Sequence, residues 1–196
     1  MSLPVAQHMA SRAPTVADPD AACVARVLAG ETAAFDELVL RYQRAIYAFC
    51  VRYVRHADDG RDVAQRTFVK AFAKLDSFRH EASFRAWLYR IATNLCKNHI
   101  RDRKRHVALT EATLVTAGDD GDMRVDAAQG RERLRRAVDA LPPKQRLVVE
   151  LRVYDDLSFA EVAEIAGCSE NAAKVNFHHA VKHLRAWCSP PGDNDE

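Results

Sequence analysis

Glycine and proline are scarce in this sequence, with 7 of each among 196 residues, which excludes collagen-like and low-complexity chains. No apolar run approaches the roughly 20 residues that a membrane-spanning helix needs, so we expect no membrane insertion. The first 20 residues have neither a basic start nor a long apolar stretch, unlike a secretory signal peptide. We therefore expect a cytoplasmic protein in which residues 1–20 form a disordered N-terminus.

The cysteines provide no disulfide or zinc framework. They are five in number, form no CxxC pair and match no zinc module. This pattern favours small buried hydrophobes or idle thiols. His179 and His183 are spaced to share one helix face, but no third ligand is evident, so we expect no metal site.

Catalytic motifs are also missing from the sequence. It contains no glycine-rich phosphate loop, no HExxH motif and no nucleophile elbow. The carboxylates are scattered among basic groups without an obvious pair. We therefore predict that the protein is not an enzyme and needs no cofactor.

Charge is abundant and unevenly distributed, although the net charge is only +2. Residues 31–106 carry 16 Lys and Arg against 9 Asp and Glu, whereas residues 107–130 carry one Arg against five acids. Residues 131–188 carry 10 basic against 8 acidic side chains, and residues 189–196 have a charge of −3. Two basic segments joined by an acidic connector favour a polyanionic partner over a small-molecule substrate.

Hydrophobic periodicity is helical, and 48% of the residues are hydrophobic, which suffices for packed cores. Apolar spacings of three and four predict one helix after Gly30, one after an Asp-Asp-Gly break at 58–60, and one capped by Ser83. A short leading helix is predicted over Asp20–Ala29. Since no convincing period-two run occurs, we predict an all-α fold. Its parts are a first helical domain (21–106), a flexible acidic linker (107–130), a second helical domain (131–188) and an acidic tail (189–196).

The second domain has the helix-capping and helix-ending residues of a helix-turn-helix. Ser158 and Glu161 form a predicted capping box, Gly167 is expected to end that helix, and Ser169 is expected to cap the last one. In this motif the N-terminal part of the second helix enters the major groove. We predict that Asn171, Lys174, Val175 and His178 read base edges, while Lys182 and Arg185 contact phosphates.

A second polar pattern lies on the helix after Ser83. Arg90, Asn94, Lys97 and Arg101 recur at helical spacing beside the apolar side, and Arg103, Lys104 and Arg105 extend them. The preceding loop, residues 78–83, interleaves aromatic with polar groups, including Phe78, Arg79 and His80. Loop and helix together are typical of a surface that tracks a strand and holds unstacked bases.

These blocks resemble the extracytoplasmic-function (ECF) class of bacterial sigma factors, from about Ala33 to Trp187. The passages that carry the resemblance are FDELVLRYQRAIYAFCVRYV, DVAQRTFVKAF, FRHEASFRAWLYRIATNLCKNHIRDRKR and LPPKQRLVVELRVYDDLSFAEVAEIAGCSENAAKVNFHHAVKHLR. The resemblance implies a subunit of RNA polymerase holoenzyme. Its first domain (region 2) would bind the β′ clamp helices of the core enzyme and melt the promoter −10 element. Its second domain (region 4) would bind the β-flap and read the −35 element.

The resemblance also assigns roles to individual residues. The loop from Phe78 to Ser83 matches the segment that captures a flipped −10 base, and the acidic linker matches a segment that threads the RNA exit path. After Ser169 the family often shows two arginines that this chain lacks, which indicates a weak or unusual −35 preference. The core-binding helix is matched by Arg61, Asp62, Val63, Gln65, Arg66, Phe68 and Phe72.

The core-binding segment departs from the family in its charge. Residues 58–74 hold three aspartates against two arginines and two lysines, a net charge of +1, where the family commonly has acids at the positions of Arg61 and Arg66. Like charges across an interface can cost several kcal/mol, and phosphate on Thr67 would add about −1.5 to −2 charges. This is similar to the subgroup of ECF factors that a Ser/Thr kinase switches on. Release from an anti-sigma factor is the alternative.

Two other functions remain open from the residues alone. A stand-alone helix-turn-helix regulator would explain the second domain but leave the basic helix and aromatic loop of the first without a role. A helical adaptor whose basic faces bind acidic proteins is the other. Binding of core RNA polymerase distinguishes the first alternative from a sigma factor, and promoter-specific transcription distinguishes the second.

Overall fold

A computed structural model describes residues 19–78, 83–110 and 127–188, and all regular structure in these ranges is helical. The all-α prediction is confirmed. None of the helices in these ranges is long and apolar enough to cross a membrane. The helices are α1 (Pro19–Leu28), α2 (Ala34–Val54), α3 (Ala57–Ala73), α4 (Phe84–Thr110), α5 (Ala127–Ala140), α6 (Pro143–Val149), α7 (Phe159–Ala166) and α8 (Glu170–Cys188).

The first domain is built from α1–α4 around an aromatic core. Phe49 of α2 packs edge-on against Tyr89 of α4, with ring centroids 5.4 Å apart. Leu38, Ile46 and Phe49 are fully buried, as the helical spacing after Gly30 predicts. The predicted leading helix is confirmed as α1.

The Asp-Asp-Gly segment at 58–60 is not a break between helices, contrary to the prediction. It lies in the first turn of α3, where His56 accepts a hydrogen bond from the Asp59 amide (3.3 Å) and caps the helix. A Cβ on Gly60 would lie 2.6 Å from Val51 Cγ2 and 2.7 Å from Val51 Cα. Glycine is therefore required because α3 passes very close to the backbone of α2.

The second domain is built from α5–α8, and its helix-turn-helix has the predicted caps and helix end. Ser158 and Glu161 form the capping box, with bonds of 3.2 and 2.9 Å. Gly167 ends α7 in a left-handed conformation (φ 67°). Ser169 caps α8 by accepting from the Ala172 amide (3.2 Å). A π-helical turn, Glu150–Tyr154, extends α6.

The helices that flank the predicted linker extend into both of its ends. Helix α4 continues to Thr110 and α5 begins at Ala127, so residues 107–110 and 127–130 are helical. The predicted first boundary also shifts, since α1 starts at Pro19. Residues 1–18, the remaining linker 111–126 and the acidic tail lie outside the described ranges.

The two domains pack against each other. Leu147, Val148 and Leu151 of the second domain belong to the same cluster of buried side chains as the core of the first. A smaller cluster, with Val138 and Ala180 among its members, lies within the second domain. The predicted domains are therefore joined by a shared apolar interface as well as by the chain.

Candidate nucleic-acid interface

The six side chains predicted to contact DNA on α8 are all exposed. Ala173 and Ala180, on the opposite side of the helix, are fully buried and hold α8 against its own domain. Lys174 lies 2.7 Å from Glu170 and 6.0 Å from the ring centroid of Phe159. We call this set the α8 face: Asn171, Lys174, Val175, His178, Lys182 and Arg185.

Two side chains of α8 refine the sequence interpretation. Trp187 has the helical spacing of the buried Ala173 and Ala180 but is 56% exposed, because it lies in the last turn beside an open cleft lined by Leu141 and His183. Asn176 donates to the Ala172 carbonyl of its own helix (2.8 Å). The Asn176 amide is therefore engaged within α8.

On α4, the predicted polar residues form one exposed row. Ser83 caps the helix by accepting from the Ala86 amide (3.1 Å), as expected. The opposite side of the helix is tightly packed, since Tyr89, Ala92 and Cys96 are fully buried. We call the exposed row the α4 stripe: Arg90, Asn94, Lys97 and Arg101.

Phe78 is wrong as an exposed base-binding ring in this structure. It is buried, with its ring centroid 5.8 Å from that of Phe84 and 5.2 Å from that of Trp87. The ring packs against these aromatic side chains instead of facing solvent. It therefore closes the core of the first domain below α4. Arg79 and His80 lie outside the described residues.

The outer face of α3 carries the predicted core-binding residues. Arg61, Asp62, Gln65 and Arg66 are exposed, Phe68 is half-buried, and Phe72 is 45% exposed beside Phe35. Val63 is wrong as a contact residue, because its side chain is fully buried in the core.

The charges of this face are paired within the helix. Arg61 lies 3.0 Å from Asp58, and Arg66 lies 3.4 Å from Asp62. All four side chains are well exposed, so each pair contributes little stability. Each arginine that departs from the family pattern is thus accompanied by a carboxylate one turn away.

A hollow on the same face was not predicted from the sequence. Val69 at its edge is 65% exposed, which is unusual for a large apolar side chain on an otherwise charged helix. Val69 interrupts the polar side of α3 between Arg66 and Lys70, a signal that the sequence does contain. The lining residues are Asp62, Gln65, Arg66, Val69, Lys70, Ala73 and Leu95.

Thr67 does not lie on this face, contrary to the premise of a surface phosphorylation site. It is 0% exposed, and its hydroxyl donates to the Val63 carbonyl (2.8 Å). The side chain therefore points into the packed side of α3, where a phosphate has no room.

The domain interface is centred on Arg52 of α2, which sequence analysis also missed. Its Nε donates to Glu150 Oε2 (2.9 Å) and its Nη2 to Asp155 Oδ2 (2.6 Å). Glu150 is only 2% exposed, although it is charged. Burial raises the pKa of Asp155, and the adjacent Arg52 opposes that rise. In the local sequence, only the position of Glu150 inside the apolar run LVVEL indicates that its carboxylate forms a buried ion pair.

Arg146 contributes a second arginine to the domain interface. Its Nη2 donates to the backbone carbonyls of Arg52 (3.1 Å) and Tyr53 (3.0 Å), and its guanidinium lies over the Tyr53 ring. These carbonyls belong to the last turn of α2, where unpaired acceptors and the negative end of the helix dipole favour a cation.

The domain interface reaches the α4 stripe through α7. Ser83 donates to Glu161 Oε1 (3.2 Å), and Arg85 donates to the backbone carbonyl of Asp155. Burial raises the pKa of Glu164, and the neighbouring Arg90 opposes that rise. Helix α7 of the second domain thus packs on α4, with Glu161 at the Ser83 cap.

The chain matches two protein families. Residues 38–106 match Sigma-70 region 2, and residues 131–184 match Sigma-70 region 4. The RNA polymerase sigma-H factor of Pseudomonas aeruginosa is 36% identical, over 88% of this chain and 95% of that protein. The ECF RNA polymerase sigma factor SigW of Bacillus subtilis is 32% identical, over 83% and 92% of the two chains.

Two solved structures are similar as well. CnrH, solved in complex with the cytosolic domain of CnrY, is 27% identical with a TM-score of 0.67, over 86% of this chain and 96% of that one. The sigma factor RpoE of Bartonella quintana, solved in complex with the anti-sigma factor NepR, is 25% identical with a TM-score of 0.65. That match covers 78% of this chain and 95% of the other.

Proposed function

This chain belongs to the extracytoplasmic-function sigma factors, and from that membership we propose which of its surfaces performs each step of promoter recognition. As a sigma factor it serves transcription initiation with core RNA polymerase and promoter DNA, and it is not an enzyme. We propose that the outer face of α3 binds the core enzyme, the α4 stripe binds the −10 strand, and the α8 face reads the −35 element.

One observation carries the two DNA assignments. Helices α4 and α8 each have fully buried small or aromatic residues on one side and a row of exposed cationic and amide side chains on the other. Exposed cations in a row suit a phosphate backbone, and amide, imidazole and apolar groups among them suit base edges. The α8 face begins at the N-terminus of the second helix of a helix-turn-helix, where base contacts are made.

The core-binding assignment is supported by the exposed apolar group in the hollow on α3. Val69 exposes most of its surface, and exposed apolar groups framed by charges mark protein interaction sites. A buried apolar anchor surrounded by polar residues is also the usual centre of a binding interface.

The experiment compares Val69→Asp with Leu40→Asp, an equally drastic change at an exposed leucine of α2. Each purified chain is mixed with core polymerase, and both complex formation and promoter-directed transcripts are measured. We expect Val69→Asp to lose complex and transcript, while Leu40→Asp retains both. Equal behaviour of the two variants would overturn the assignment of the core-binding face.

We further propose that a protein partner, an anti-sigma factor, restrains this chain. Two features favour this over activation by a Ser/Thr kinase: RpoE of Bartonella quintana was solved with an anti-sigma factor, and the Thr67 hydroxyl of this chain is buried. Modification of Thr67 would require α3 to leave its packing partners.

The affinity of core polymerase for three forms of the chain separates the two mechanisms. These forms are the unmodified protein, the Thr67-phosphorylated protein and Thr67→Ala. If an anti-sigma factor controls the chain, the unmodified protein binds core at least as tightly as the phosphorylated one. Tight binding by the phosphorylated form alone would establish the kinase switch.

A further inference from the structure

We propose that Asp59 of α3 is a positioning residue for strand binding: its carboxylate holds the C-terminal half of α4 from the side opposite the α4 stripe. The inference rests on the proposed function of the stripe. It assigns a role in nucleic-acid binding to an acidic side chain, next to a surface whose charged groups are cations.

Three basic side chains converge on one oxygen of Asp59. Asp59 Oδ2 lies 3.1 Å from His99 Nε2 and 3.6 Å from Arg103 Nη1, and both of these groups belong to α4. His56, which caps α3, brings its Nδ1 to 3.7 Å from the same oxygen. The side chains of Asp59 and His99 are only 32% and 22% exposed. Solvent therefore screens this cluster less than the ion pairs on the outer face of α3.

The cluster lies where the apolar side of α4 ends. Ala92 and Cys96 are fully buried on that side. Helical spacings of three and then four place His99 and Arg103 on the same side, further along the helix. Every side chain from 101 to 105 is exposed. The carboxylate thus meets α4 at the point where apolar burial no longer fixes the helix.

The α4 stripe lies on the other side of the same helix. Arg101 follows His99 by two residues, which corresponds to a rotation of about 200°. Arg103, which sequence analysis grouped with the stripe, instead faces α3 through its contact with Asp59. Because the side chains of a helix rotate together, contacts at His99 and Arg103 also fix the direction of Arg101.

The end of α4 carries charges that repel one another. Residues 101–105 hold three arginines and one lysine against one aspartate, and like charges one turn apart destabilise a helix. A carboxylate that contacts His99 and Arg103 opposes this repulsion. The negative charge of Asp59 is itself favoured, because it lies in the first turn of α3 at the positive end of the helix dipole.

The positioning role and simple electrostatics predict opposite effects when the acid is removed. Through charge alone, loss of an acidic group beside a polyanion-binding surface should strengthen binding. Loss of a positioning group should weaken binding, because Lys97 and Arg101 are then less well ordered for contact with phosphates. The direction of the change therefore distinguishes the two.

The test uses the full chain and a fluorescent oligo-dT strand of about 15 nucleotides, a length within the usual single-strand site size. Affinities are measured well below the unfolding midpoint of each variant. Asp59→Asn is compared with Asp58→Asn, which removes the same charge from the same turn of α3. The Asp58 side chain pairs with Arg61 of its own helix.

We expect Asp59→Asn to bind the strand about threefold more weakly than wild type, a loss typical of one or two partly exposed ion pairs. Asp58→Asn should bind no more weakly than wild type. If Asp59→Asn binds as tightly as Asp58→Asn, the proposal is overturned.

Rescue and coupling show whether Asp59 acts through its charge and through α4. Asp59→Glu keeps a carboxylate in the first turn of α3 and should recover most of the lost affinity. In a His99→Ala/Arg103→Ala background, Asp59→Asn should cause no further loss, since the groups that Asp59 holds are gone. Equal weakness of the Asn and Glu variants, or an undiminished loss in the double background, would contradict the positioning role.

A stripe variant distinguishes failure of this inference from failure of the proposed function. If Arg90→Ala/Lys97→Ala weakens strand binding but Asp59→Asn does not, the stripe function stands and the positioning role fails. If Arg90→Ala/Lys97→Ala leaves strand binding unaffected, the proposed −10 function itself is wrong.

Discussion

The two helices that we propose to contact DNA, α4 and α8, differ in what packs beside them. The α8 face is exposed along its length, with Asn171, Lys174 and Val175 at its start all accessible. The α4 stripe is exposed as well, but its helix also packs against α7 of the other domain. Helix α8 packs on α5, α6 and α7 of its own domain, whereas α4 forms part of the domain interface.

The first prediction removes the centre of the domain interface. Arg52→Ala takes away the arginine that pairs most closely with the buried Glu150 and Asp155, which costs about 3–5 kcal/mol if the domains stay closed. We expect the domains to separate instead, which lowers the midpoint of thermal unfolding. Small-angle scattering should show a larger radius of gyration.

Arg44→Ala, an exposed arginine of the same helix, is the control and should change neither quantity. An Arg52→Ala chain as small and as stable as wild type would show that the network does not hold the domains together.

The second prediction tests whether the α4 stripe contacts the phosphates of a single strand. Arg90→Ala/Lys97→Ala/Arg101→Ala removes three cations, and each phosphate contact with a single strand contributes about 0.7 to the slope of log affinity against log salt. We expect the slope to flatten by about 2. Titrations at several salt concentrations measure it.

A matched loss of three exposed cations elsewhere, Arg44→Ala/Lys74→Ala/Lys144→Ala, should leave most of the slope intact. Equal flattening in the two triple variants would mean that total charge, and not the stripe, determines binding.

The third prediction concerns the thermal stability of the first domain. Gly60→Ala would place a Cβ against Val51, and overpacking of this kind costs about 1–3 kcal/mol. The chain has two tryptophans, of which Trp87 is buried in the first domain and Trp187 exposed in the second. In a Trp187→Phe background, the Trp87 fluorescence transition should move to lower temperature. An unchanged transition would contradict the close approach of α3 to α2.

The fourth prediction concerns the open surface alone. Lys174→Ala/His178→Ala should change base preference at the upstream element, by about 1–3 kcal/mol for each lost base contact, without changing affinity for core polymerase. Competition binding with a panel of duplexes measures the first effect, and complex formation with core measures the second. Loss of core binding by this variant would argue against separate surfaces for promoter DNA and core polymerase.

Local signals made much of the fold predictable. Ser158, Glu161, Gly167 and Ser169 act within one turn of the chain, so their capping roles follow directly from the sequence. Helical spacing likewise placed the α8 face and the α4 stripe on exposed sides, since burial of the opposite side fixes the rotation of each helix.

Features that depend on distant packing were not predictable in this way. Gly60 looks like a helix break until α2 is known to pass beside it, and Phe78 looks exposed until Phe84 and Trp87 surround it. Arg52 and Glu150 are 98 residues apart, so no local pattern pairs them. Thr67 was placed on the wrong side of α3 because its neighbours in sequence are charged.

The most direct test of the proposal that α4 and α8 contact two separate promoter elements is the distance between the domains in the free and promoter-bound states. Spin labels at Asn98→Cys on α4 and at the native exposed Cys168, in a Cys188→Ser background, report it by pulsed electron paramagnetic resonance. Packed helices and a rise of about 1.5 Å per residue place the labels within about 40 Å of each other in the free chain. With core polymerase and promoter DNA the account predicts a clear lengthening. The same distance in both states would contradict it.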